Sequence, residues 1–243
     1  VRALAVDPTD ASIVWSANSN AATFAGDFGT PYGAGVARST DGGETWTPRN
    51  TGLTNLHVTS LAIDPTAPST VYAGTKGGGL FRTTDAGLSW SPRNTGLGNL
   101  DVYSVAVDPG TPSTLFAGLR AGGVYRSTDA GATWTAAFTG ATVWQIVVDP
   151  TNPMRLYAAT GGGVFKSVTG GVSFTTTGTM TVQEPHEAPR QVHDTRAVLI
   201  DAADPATVVP ALTKLLADSD TQVQWRATRA LGDYGAEAAS AAP

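Results

Sequence analysis

The stretches Ser39-Thr-Asp-Gly-Gly-Glu-Thr-Trp46, Thr83-Thr-Asp-Ala-Gly-Leu-Ser-Trp90 and Ser127-Thr-Asp-Ala-Gly-Ala-Thr-Trp134 are three copies of one pattern, spaced 44 residues apart. The pattern is Ser/Thr-x-Asp-x-Gly-x-Ser/Thr-Trp. A fixed period of about 40–45 residues marks stacked supersecondary units and suits a sheet of four short strands. Each residue type in it has a turn role. The carboxylate accepts backbone N–H groups as an Asx-type brace, and the glycine supplies positive φ. The hydroxyls tie the turn to nearby backbone. The indole offers about 150–250 Å² to bury between sheets.

Reading outward from the third copy gives the rest of the unit. Val102-Tyr-Ser-Val-Ala-Val107 alternates and stops at Asp108-Pro109, a strand ended by a turn dipeptide. Residues 115–119, 122–128 and 132–136 supply three more strands, so an antiparallel meander is predicted. Asp7-Pro8, Asp64-Pro65 and Asp149-Pro150 end the first strands of the other copies, and 13–15, 71–74 and 156–159 are their second strands. A fourth copy, Ser167-Val-Thr-Gly-Gly-Val-Ser-Phe174, has Thr169 for Asp and Phe174 for Trp. Its sheet is expected, but not its turn brace. The first copy carries a surplus of 13 residues between its second and third strands, within 16–33. A long loop on a rigid scaffold is either a binding element or a tolerated insertion.

The motif resembles the Asp-box, or BNR repeat, of sialidases, sortilin-type receptors, xyloglucan-degrading hydrolases and photosystem II assembly factors. That resemblance implies a β-propeller of four-stranded antiparallel blades, about four of them visible and the ring incomplete, over residues 1–180. It does not choose an activity, because this fold hosts several. The box residues are Ser39, Asp41, Gly43, Trp46, Thr83, Asp85, Gly87, Trp90, Ser127, Asp129, Gly131 and Trp134. Copies repeated in successive blades cannot all line one central site, so their role is read as bracing the fold.

After about Met180 glycine becomes scarce and alanine common. Residues 181–190 read as a polar, proline-bearing linker. Within 191–243, Thr195-Arg-Ala and Thr228-Arg-Ala begin segments that align at an offset of 33 residues. Between them, Val208, Val209, Leu212, Leu215 and Leu216 share one helical face, and Asp218-Ser-Asp220 is a helix stop and new N-cap. This part resembles HEAT-like repeats of the phycobilisome-lyase type, which implies a truncated all-α solenoid used for protein docking. The chain is thus expected to be multidomain. It opens on Val1 and closes on Pro243 in mid-repeat, so it reads as a piece of a longer protein, with blades before Val1.

Composition narrows the function classes. Charged residues are 14% of the 243, against 28 glycines and 15 prolines, the profile of a turn-rich β protein. A net charge of −5 without a basic cluster argues against a nucleic-acid partner. No apolar run reaches the roughly 18 residues of a membrane span. The lack of cysteine removes disulfides, thiol catalysis and zinc–thiolate sites. No cofactor and no metal site is expected. A secreted or periplasmic location is the reading, although the sequence shows no signal peptide.

In such blades the Asp-Pro turns and the boxes share one end. Loops joining strands two and three, and successive blades, share the other end, where propeller ligands meet. The candidate ligand face there comprises Asp27, Tyr32, His57, Lys76, Asp101, Arg120 and Trp144, together with Asn55 and Asn99. His57 and Asp101 occupy equivalent positions, as do Lys76 and Arg120, and that basic pair could hold a carboxylate or phosphate. No catalytic residue is assigned. Glycoside hydrolysis needs two carboxyl groups about 5–9 Å apart, and nothing pairs Asp101 with Asp27. Two readings stay open. One is a non-catalytic scaffolding module with a protein or glycan partner. The other is part of a xyloglucanase- or sialidase-like hydrolase whose active groups lie partly elsewhere; a third, photosystem-assembly-like role shares the repeat only.

Overall fold

The computed structural model describes residues 2–18 and 34–177, with the short strands 181–182 and 190–191. Asp27 and Tyr32, and residues 192–243, which carry the expectation of HEAT-like repeats, lie outside the described residues. The chain divides into two units after Val198, and only the first contains described residues.

Four antiparallel four-stranded sheets follow one another along the chain. The first is β1 (Ala3–Val6), β2 (Val14–Asn18), β3 (Gly35–Ser39) and β4 (Thr47–Pro48). The second is β5 (Val58–Ile63), β6 (Val71–Thr75), β7 (Gly79–Thr83) and β8 (Ser91–Pro92). The third is β9 (Val102–Val107), β10 (Leu115–Leu119), β11 (Gly123–Ser127) and β12 (Thr135–Phe138). The fourth is β13 (Val143–Val148), β14 (Leu156–Thr160), β15 (Gly163–Ser167) and β16 (Thr175–Thr176). A two-stranded ladder, β17 (Thr181–Val182) with β18 (Arg190–Gln191), follows. Each meander is in sequence order, and β1, β5, β9 and β13 touch in succession. The first strands therefore run along a common axis and the fourth strands lie at the rim, as in propeller blades.

The core is three apolar layers between successive blades. Trp15, Val36, Val71, Phe81 and Trp90 fill the first, and Tyr72, Leu80, Val102, Leu115 and Trp134 the second. Phe116, Val143, Ile146 and Leu156 form the third, with Phe138, Phe165 and Phe174 packed against them. Trp90 and Trp134 are only 4% and 5% exposed. Each indole N–H donates backward, Trp90 to the Arg49 carbonyl at 2.8 Å and Trp134 to that of Arg93 at 2.9 Å. Each thereby fastens its blade to the one before. Trp46 departs from the expected burial. No described blade precedes it, it is half-buried, and its N–H turns onto its own Gly43 carbonyl at 2.9 Å.

The boxes show one network repeated. In the third blade the Ser127 hydroxyl donates to Asp129 at 2.7 Å and accepts from the Gly131 N–H at 2.9 Å. The Asp129 carboxylate accepts from the Thr133 N–H and hydroxyl at 2.9 and 2.6 Å. Ser39-Asp41-Thr45 and Thr83-Asp85-Ser89 repeat these bonds. The fourth copy corrects the sequence reading: its brace survives without a carboxylate. The Thr169 hydroxyl accepts from the Ser173 N–H at 3.1 Å while Ser167 still accepts from the Gly171 N–H at 3.0 Å. One hydroxyl both donates and accepts, which is enough here. The third blade's rim strand also differs from expectation, starting after Trp134 at Thr135.

Candidate ligand-binding site

Both ends of the blades are set by local hydrogen bonding. At one end each Asp-Pro aspartate caps its own turn, as when Asp149 Oδ1 accepts from the Thr151 and Asn152 N–H groups at 2.9 and 3.1 Å. The box turns dock beside these loops, with Ala86 N–H on the Ser69 carbonyl and Ala130 N–H on that of Ser113. At the other end, links between blades meet loops between second and third strands. Lys76 N–H donates to the His57 carbonyl at 3.0 Å, and Arg120 N–H to that of Asp101 at 2.9 Å. Asn55 and Asn99 pin this end. Their amides donate to the Lys76 and Arg120 carbonyls at 3.0 Å, and their oxygens accept from the His57 and Asp101 N–H groups.

The axial strands are interrupted at this end. The β5–β6 ladder shifts between Val58 and Ser60, the β9–β10 ladder opposite Gly118 and Leu119, and the β13–β14 ladder between Val143 and Gln145. The residues left out of register are Thr59, Tyr103 and Trp144, each five positions before the aspartate that ends its strand. A β-bulge bends the strand and re-aims the extra side chain. Here the three bulged residues, with Arg2, His57 and Lys76, line one open cleft of about 350 Å³. Tyr103 and Trp144 stack at 5.4 Å between ring centroids and 17° between planes.

The electrostatics of the cleft are cationic. His57 sits below its ordinary pKa, first because it is partly desolvated and then because Lys76 and Arg2 repel its protonated form; Asp101 opposes this. The side chain of Asp101 meets Arg120 at 3.7 Å, with Arg120 57% exposed. Lys76 and Arg120 thus do not form the matched anion clamp that their spacing suggested: Lys76 faces the cleft, whereas Arg120 is engaged by Asp101. None of the described residues lining the cleft is a carboxylic acid.

Of the sequence candidates, the structure brings His57, Lys76 and Trp144 into the cleft and leaves Asp101 and Arg120, paired with each other, outside its lining. Arg2, Thr59 and Tyr103 were not singled out from sequence. Their signal was available as the residue five before each Asp-Pro, but alternation alone assigns that position an ordinary strand role.

Comparisons with known proteins fit this architecture. The family described as BNR/Asp-box repeat matches residues 37–48. No curated protein sequence matches the chain. An ancestral GH74 enzyme superposes with a TM-score of 0.61 at 22% identity, over 76% of this chain and 24% of that one. The GH74 enzyme of Niastella koreensis gives 0.57 at 28% identity, over 72% and 29%. The extracellular domain of a putative one component system from B. thetaiotaomicron gives 0.58 at 16% identity, over 83% and 25%. The chain therefore spans about a quarter of the length of these structures. They establish the propeller-like fold. Among the described residues no helix is long and apolar enough to cross a membrane.

Proposed function

We propose that this chain is a non-catalytic binding module whose axial cleft holds a glycan. The carrying observation is the row of bulges that delivers Thr59 and the stacked Tyr103–Trp144 pair to one opening. Flat aromatic faces beside hydrogen-bonding side chains suit a sugar ring, which presents C–H groups on its faces and hydroxyls at its edge. The neighbours named as GH74 enzymes and as the extracellular domain of a putative one component system support a carbohydrate-related, extracytoplasmic setting. On this reading residues 1–180 form the propeller part and 191–243 a HEAT-like docking part after a short linker.

Calorimetric titration of the full chain with xyloglucan oligosaccharides and a panel of other glycans tests the reading. Trp144→Ala should weaken binding at least about tenfold, equivalent to about 1.4 kcal/mol. Absence of binding to every glycan would end it. The likeness to GH74 enzymes favours a second reading, in which the chain is part of a glycoside hydrolase and the cleft one of its subsites. Release of reducing sugar by a longer parent protein, lost on Asp101→Asn, would replace the first reading with the second.

A further inference from the structure

We infer that the axial cleft selects acidic saccharides, binding uronic-acid carboxylates with Lys76 and His57 beside the Tyr103–Trp144 stack. This rests on the glycan reading of the cleft and adds the charge of the glycan. The observation behind it is a local reversal of charge. The chain carries −5 overall, yet the described lining of this cleft holds three basic side chains and no acid. They come from three places: the residue before β1, the link before β5 and the loop after β6. A concave site lined by one sign of charge focuses its field on an incoming ion.

The surroundings of His57 make the case specific. Among the described residues, the charged groups facing it are Lys76, Arg2 and Asp101, and the uncharged Thr59, Tyr103 and Trp144 share the lining. The one acid among them, Asp101, already engages Arg120 at 3.7 Å. Burial and the two cations hold His57 neutral near pH 7. A carboxylate entering the cleft would offset that repulsion, so its arrival draws a proton onto His57 and gains a second charged partner beside Lys76. A neutral sugar would shield the same cations from water and return no counter-charge, which disfavours it.

The test uses the full chain, titrated with a trigalacturonate and with its methyl ester, a neutral molecule of nearly the same shape. The acid should bind at least about tenfold more tightly than the ester, and the gap should shrink as salt rises from about 0.05 to 0.5 M. Binding of the acid should strengthen as pH falls from about 8 to 5.5, where the uronate stays ionised and His57 gains its proton. His57→Gln should flatten that pH dependence, and Lys76→Gln should narrow the acid–ester gap to about twofold. Thermal melting of both variants checks that they fold. Equal affinity for acid and ester, or binding of neutral glucans alone, would overturn this inference and leave the glycan reading standing. An acid preference unmoved by either substitution would also overturn it. Binding of no glycan of either charge would remove both.

Discussion

At Asp129 one carboxylate serves three donors in a turn of seven residues. It receives the Thr133 N–H and hydroxyl and the Ser127 hydroxyl, and these bonds hold its pKa down at about 2. Asp85 is likewise held at about 2, led by the Ser89 and Thr83 hydroxyls. The sign follows from the depressed folded value. An unfolded Asp titrates near about 3.9, so the brace contributes fully above about pH 4 and is lost as pH falls through about 2. Thermal melts from pH 7 downward should therefore show the melting temperature dropping across that window. Asp129→Asn should melt lower at pH 7 and lose less on acidification. These residues were legible because an Asx brace is local: every partner lies within four positions. The left-handed backbone of Ala86 and Ala130, both at φ 55°, was not legible. Glycine stands at the matching positions 42 and 170, and the alanines accept about 1–2 kcal/mol of strain because the turn geometry around them is already bound.

At the scale of elements, blades adhere through backward-reaching aromatics and close backbone approach. The Asp-box glycine permits that approach: a Cβ on Gly87 would sit 2.9 Å from the Trp15 ring, and one on Gly171 only 2.2 Å from Phe116. The indole N–H bonds add direction to this packing. Trp134→Phe should keep most of the buried ring but leave the Arg93 carbonyl without its donor, costing about 1–3 kcal/mol. Trp46→Phe should cost clearly less, since its indole is half-exposed and bonds only its own turn. Urea denaturation of the two variants compares them, and equal losses would contradict the blade-fastening role. The natural Phe174 marks the same economy. It has no N–H, and the third interface is instead an aromatic cluster in which Phe138 meets Phe165 at 4.4 Å and Phe174 at 6.3 Å.

Across the whole described unit, stability should be graded because each blade is held mainly by its neighbours. The second and third blades are packed on both faces by described sheets, while the first and fourth have described partners on one face. Hydrogen exchange should then be slowest in β6, β7, β10 and β11 and faster in β2, β3, β14 and β15. Uniform protection across all four blades would count against this grading. The axial cleft also belongs to this scale, since its lining comes from residues as far apart as Arg2 and Trp144.

Period, turns and the four described sheets were legible in sequence alone, because each rests on contacts within a few residues or on repetition of one unit. Even the weak fourth copy announced its sheet, although a threonine hydroxyl proved able to do the work of the missing carboxylate. The site was decided only by tertiary structure. Thr59, Tyr103 and Trp144 share a register position but not one residue type, and bulges turn them out of strands that otherwise read as plain alternation. Local pattern fixes which face of a strand a residue takes. Only the convergence of four strands on one axis determines which of those faces meet.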